Sequence, residues 1–136
     1  MKIFDLDGKL LVDLPGDTLR GAWLEYADLR RADLRDADLY CARASGADMR
    51  GANLRGAFLH GAYFVEANLE GADLSHTNSC NVDFHGANLK NVNFQGAYMQ
   101  CAHLWKANVD GADFTGATGT VHRVEVPKSW DTVEDI

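Results

Sequence analysis

The sequence predicts an all-β solenoid, a chain wound into extended coils that stack on one another. Three observations carry this prediction. A large apolar residue recurs every five positions from Leu24 to Phe114; of these 19 centres 17 are Leu, Phe, Met or Val, with Ala44 and Ser79 the exceptions. Two residues before each centre lies a small slot, repeated twenty times from Ala22 to Ala117 and filled by Ala except at Thr77, Val82 and Val92. Ten of the 13 glycines share a third register, two residues after the centre. Three residue classes in three registers mark an internal repeat.

The period excludes a helix. Five residues advance ~500° along an α-helix, so successive leucines would precess by ~140° and form no stripe. An extended coil that points slot and centre inward and the other three residues outward buries every Ala and Leu and places glycine at the bend. No pentapeptide can close a core alone, so the coils must stack. The runs YADLR, RADLR, GANLR and EANLE read A-[DN]-L-x-x in tandem, and on these residues the chain resembles the pentapeptide repeat family over about residues 17–120. The resemblance implies a right-handed quadrilateral β-helix with four pentapeptides in each coil. Some twenty repeats then make about five coils, and a rung spacing of ~4.8 Å gives a tower roughly 24 Å tall.

The flanks do not repeat. In residues 1–16, KIFDL and KLLVD surround Asp7-Gly8, the signal of a β-hairpin with a two-residue turn. A hairpin there caps the first coil, whose open edge would otherwise invite end-to-end pairing. Residues 17–120 form the β-helix, and residues 121–136 a C-terminal cap: VHRVEV reads as a strand ending at Pro127, followed by a short helical turn with Asp131 and Glu134 placed as a capping pair. That tail either covers the last coil or makes a dimer contact through Trp130, Val133 and Ile136.

Composition narrows the function. The net charge of −7 argues against direct nucleic-acid binding, which needs an excess of Lys and Arg on one face. The charge is uneven: residues 19–60 hold seven Arg against six acids, whereas residues 61–120 hold two Lys against six acids. No apolar run approaches the ~20 residues of a membrane span. The acidic start MKIFDLDGKL is unlike a secretory signal, so a cytoplasmic location is expected, and three cysteines fit free thiols better than a disulfide framework.

Sorting the residue before each centre by face separates two kinds of surface. On the faces centred on Leu29 to Val109 and on Leu34 to Phe114, all ten are Asp or Asn, whose short side chains can bond nearby backbone at a turn. On the other two faces six of nine break that rule, including Trp23, Arg43, Phe58, Tyr63, Tyr98 and His103. Phe58 and Tyr63 are expected to meet across one corner and Tyr98 and His103 across another, with Trp23, Tyr26, Tyr40 and Trp105 nearby. These eight residues are the candidate interface. The alternative is that the aromatics replace the Asn ladder by stacking between coils. Arg30, Arg31, Arg35, Arg50 and Arg55 interleave with Asp28, Asp33, Asp36 and Asp48, which reads as a charge-mixed solvated face or as an anion patch. Thr77 and Ser79 put hydroxyls where the core expects Ala and Leu, so this coil is either less stable or bonds its hydroxyls to backbone.

No catalytic constellation is legible. The five histidines make no spaced metal pair, and Asp83, His85 and His103 are at most three ligands for a metal. The glycines recur as punctuation rather than as a phosphate cradle. The expected function is therefore a non-catalytic protein-interaction or scaffold module without cofactor, whose partner is another protein or, in a homodimer, a second copy. The family resemblance implies an alternative: an acidic mimic of DNA that inhibits or protects a DNA-binding enzyme such as DNA gyrase.

Overall fold

A peptide that turns every five residues must close each turn with its own backbone and pair the extended remainder with its neighbours. The computed structural model describes residues 1–122 and resolves both parts of that requirement. At every corner from residue 22 to residue 117 except that of Thr77 the centre's carbonyl accepts the N–H three residues on, as from Ala27 to Leu24 at 3.1 Å and from Ala52 to Met49 at 3.0 Å. The third residue of the turn has positive φ: 54–59° at the ten non-glycine corners, among them Tyr26, Cys41 and His76. With the second residue at negative φ, this is a type II turn, which explains why glycine favours the register.

Between corners the chain pairs in parallel with the coils on either side. Leu34 donates to Asn53 at 2.8 Å and Asn53 to Ala32 at 2.9 Å. Trp23 pairs with Arg43, Arg43 with Tyr63, Tyr63 with Asp83 and Asp83 with His103, an offset of twenty that also holds in the columns starting at Asp28, Asp33 and Asp38. Four columns of backbone bridges thus run up the tower. Every centre from Leu24 to Phe114 is buried, and ring stacking continues inside, with Phe64 and Phe84 at 5.7 Å and Phe94 and Phe114 at 5.0 Å. Slot alanines are buried in the middle coils and only half-buried at Ala22, Ala27, Ala37, Ala107 and Ala112, toward the two ends where fewer coils cover them.

The coil with buried hydroxyls bonds them. Thr77 Oγ1 donates to the Leu74 carbonyl at 2.9 Å and lies 2.8 Å from Ser79 Oγ. Among the turns closed by residues 22 to 117, that of Thr77 is the one whose N–H makes no bond to the centre, and the next, Val82 to Ser79, is stretched to 3.3 Å. The hydroxyl has taken the place of the amide.

Before the repeats, β1 (Lys2–Phe4) and β2 (Leu10–Asp13) form an antiparallel hairpin with an irregularity between Ile3 and Phe4. The turn differs from the expected two-residue form. Asp5 N–H bonds the Lys9 carbonyl at 2.8 Å and Gly8 N–H the Asp5 carbonyl at 3.0 Å, leaving Leu6, Asp7 and Gly8 as a three-residue loop. Asp5 Oδ1 selects this form by accepting the N–H groups of Asp7 and Lys9, both at 2.9 Å. Asp33 N–H reaches the Phe4 carbonyl and Leu6 N–H the Arg31 carbonyl, so β1 occupies a rung beside the first coil and Ile3 is buried. At the other end His122 pairs with His103, an offset of nineteen, one residue short of the repeat. The expected strand VHRVEV beyond His122, the helical turn, and the contact residues Trp130, Val133 and Ile136 lie outside the described residues.

Candidate interaction surface

The Asp and Asn columns do what short polar side chains at a turn can do. Each accepts the N–H two residues on, as from Ser75 to Asp73 and from Gln95 to Asn93, both at 2.9 Å. Where Trp23, Arg43, Phe58, Tyr63, Tyr98 or His103 replaces them, that turn has no side-chain acceptor. The sequence gives up this turn bond at these six positions, and at Trp23, Arg43 and His103 contacts with neighbouring side chains stand in its place.

Seven of the eight candidate residues are large exposed aromatics, led by Tyr26 at 82%, Trp23 at 63% and Phe58 at 55% exposure, and His103 is exposed as well. The expected corner meetings are corrected: among the described residues no ring contact joins Phe58 to Tyr63 or Tyr98 to His103. Contacts run up the tower instead. Tyr40 stacks on His60 with ring centres 5.5 Å apart, His85 meets Trp105 at 4.8 Å and His103 stacks on His122 at 4.9 Å. Residues one coil apart share a face and a spacing of ~4.8 Å, whereas neighbours across a corner point along different face normals. Stacking between coils, the alternative to an interface, therefore engages Tyr40, Trp105 and His103, although all three stay exposed.

Cations complete the pattern. The Arg20 guanidinium lies 4.5 Å over the Tyr40 ring and Arg43 4.9 Å over Trp23, while Lys106 Nζ lies 4.7 Å over Trp105. Arg20 also bonds Asp38 at 3.0 Å, and Arg20, Asp38, Tyr40, Phe58, His60 and Asn78 line a shallow groove of about 500 Å³. The residue-by-residue sorting missed Arg20, His60 and His122 as parts of this surface, although spacings of twenty along Arg20, Tyr40 and His60 carried the signal. Tyr26 leans over Gly46, where a Cβ would meet its ring at 2.5 Å.

On the arginine face four of the five arginines are in ion pairs, and Arg55 donates to Ser75 Oγ at 3.2 Å. Arg30, Arg35 and Arg50 each grip the Asp two residues before with two bonds, 2.8 and 2.7 Å for Arg30 on Asp28, and Arg31 reaches Asp7 at 2.5 Å. The Arg30 guanidinium lowers the Asp28 carboxyl to about 2, and Asp33 and Asp48 are lowered in the same way by Arg35 and Arg50. Cys41, Cys80 and Cys101 are free thiols, and burial, with the nearby Cys101, pushes Cys80 up. Among the described residues no group of three His, Cys, Asp or Glu side chains could hold a metal, and no helix is long and apolar enough to cross a membrane.

Comparison with known proteins places this architecture. The chain matches the family described as Pentapeptide repeats, in eight copies over residues 18–51, 45–78 and 81–116. It is similar to a pentapeptide repeat protein from the thylakoid lumen of Arabidopsis thaliana, with 35% identity, a TM-score of 0.67, and coverage of 68% of this chain and 65% of that one. It is also similar to the pentapeptide repeat protein Rfr23 of the cyanobacterium Cyanothece 51142, with 28% identity, a TM-score of 0.51, and coverage of 68% and 62%. The chain thus spans less than two thirds of the length of either protein. No curated protein matches it. With tandem repeats over most of its length, inward centres and slots, and type II corners stacked in register, the chain belongs to the pentapeptide repeat family and folds as a right-handed β-helix.

Proposed function

We propose that the chain is a non-catalytic protein-interaction module, a cytoplasmic scaffold that presents its two aromatic faces to a second copy of itself or to another protein. One observation carries this reading: Trp23, Tyr40, Phe58, Tyr63, Tyr98 and Trp105 stand exposed on two neighbouring faces with Tyr26 exposed at a bordering corner, while the centres behind them are buried. Exposed apolar clusters of this kind mark contact surfaces in soluble proteins. In the same reading the tower has about five coils, closed by the β1–β2 hairpin at one end.

Light scattering at several concentrations, on the wild type and on a Tyr63→Asp/Tyr98→Asp variant, tests it. A wild-type dimer that becomes a folded monomer assigns the faces to self-association. A dimer that survives in the folded variant refutes them as the dimer contact, and deletion of residues 128–136 then tests the tail.

A second reading has its own observation. Every ion pair among the described residues lies within the first fifty residues, so the six acids of residues 61–120 are left without one. An acidic half-tower favours the DNA-mimic function that the family resemblance implies. The neutralised arginine face weighs against it, because DNA is charged along its whole length. Supercoiling assays with DNA gyrase that show neither inhibition nor protection remove this reading.

A further inference from the structure

The surface itself contains an example of what it can bind. Arg20 lays its guanidinium over Tyr40 and donates from Nη1 to Asp38 Oδ2, so one cation meets an aromatic face and a carboxylate together. Arg43 and Lys106 likewise lie over Trp23 and Trp105. Phe58, Tyr63 and Tyr98 differ: among the described residues none has a ring or cation contact, yet all three are exposed. Tyr63 pairs on the next rung with Asp83, and Glu66 stands at the following corner. Asp83 uses Oδ1 to accept the His85 N–H at 2.9 Å, and neither carboxylate has an ion pair among the described residues. Residues 61–120, which hold these groups, carry six acids against two Lys.

We infer that the surface around Phe58, Tyr63 and Tyr98 receives a basic, arginine-bearing segment of a protein partner. One guanidinium lies on the Tyr63 ring beside Asp83, as Arg20 lies on Tyr40 beside Asp38. Phe58 and Tyr98 flank it along the neighbouring face, two rungs apart at ~9.6 Å, and take the adjoining side chains. Arginine fits better than lysine because its planar fork stacks on a ring while still donating to a carboxylate. This inference rests on the interaction reading above and names the chemistry of its partner.

The test is fluorescence anisotropy, at about 0.15 M salt to screen diffuse attraction, with a labelled peptide of arginines spaced by glycine and serine. The control is the same peptide with citrulline, which keeps the shape and loses the charge. The arginine peptide is expected to bind, and the citrulline peptide not to. Tyr63→Ala and Asp83→Asn should each weaken binding by about three- to ten-fold. Asn retains the acceptor for the His85 N–H, so the turn is kept, and circular dichroism verifies the fold. Glu70→Gln/Asp110→Asn, which removes two charges from a different face, should leave binding within about two-fold. The inference is overturned by absence of binding, by equal binding of the citrulline peptide, or by an equal loss in the Glu70/Asp110 variant. If the peptide fails while Tyr63→Asp/Tyr98→Asp still abolishes self-association, only the arginine assignment falls; if both fail, the interaction reading falls with it.

Discussion

The buried hydroxyl pair in the middle of the tower allows a double-mutant cycle whose sign follows from counting hydrogen bonds. Thr77 Oγ1 directs its proton to the Leu74 carbonyl, so Ser79 Oγ must donate across the 2.8 Å between them. Thr77→Ala then leaves the Ser79 hydroxyl without its acceptor at a site of 0% exposure. An orphaned buried hydroxyl costs about 1–3 kcal/mol, and the lost methyl adds about 0.8 kcal/mol. Ser79→Ala is milder, about 0.5–1.5 kcal/mol, because Thr77 retains its bond to Leu74. In the double variant no hydroxyl is stranded, and the backbone N–H at position 77 can close the turn on Leu74 as alanines do elsewhere in the repeat. Its cost should fall below the sum of the singles by about 1 kcal/mol or more. Urea unfolding at constant m-value measures all three variants, with amide exchange at residues 77–82 reporting where any loosening occurs. Additivity within about 0.5 kcal/mol would refute the donor assignment.

Two further predictions follow from the corners and the ion pairs. Gly71 and Gly119 both have positive φ, but a Cβ at Gly71 meets nothing within 4 Å, whereas one at Gly119 would stand 2.8 Å from Gln100 Cα and 2.9 Å from the Met99 carbonyl carbon. Gly71→Ala should therefore cost about 1 kcal/mol, and Gly119→Ala about 1–3 kcal/mol more, because backbone cannot swing aside; equal losses in urea unfolding would dismiss the packing argument. Asp28 has its carboxyl lowered from 3.8 to about 2 by Arg30. Its contribution to stability is thus present above the unfolded value and is lost as pH falls through the folded one. An NMR titration should find that midpoint near 2, and Arg30→Gln should move it up toward the ordinary range. An unchanged midpoint in the variant would remove Arg30 as the cause.

The aromatic surface was only half legible in the sequence. That Trp23, Phe58, Tyr63 and Tyr98 face outward follows from their place before a centre, because position in the repeat decides which side of the backbone a side chain leaves. Which of them remain open does not follow. Arg20 lies over Tyr40 and Arg43 over Trp23 because the coils bring residues twenty apart to one rung spacing; the spacing marks them as neighbours, and side-chain packing in the stack decides which ring is covered. The corner pairs failed for the same reason: sequence neighbours on adjacent faces are close along the chain but diverge in direction.

By itself the sequence determined the repeat, the inward centres and slots, and the turns, because each depends on local terms: apolar burial every five residues, the conformational freedom of glycine at positive φ, and Asx bonds spanning two residues. It also placed a hairpin before the first coil. The tertiary structure alone decided the rest. The three-residue loop arises because Asp5 Oδ1 gathers two N–H groups that are close only once β1 and β2 have paired. The Thr77 hydroxyl displaces an amide because Ser79 is buried beside it. Phe58, Tyr63 and Tyr98 remain exposed because, among the described residues, the stack of coils brings no cation over them, and that outcome is a property of the assembled tower.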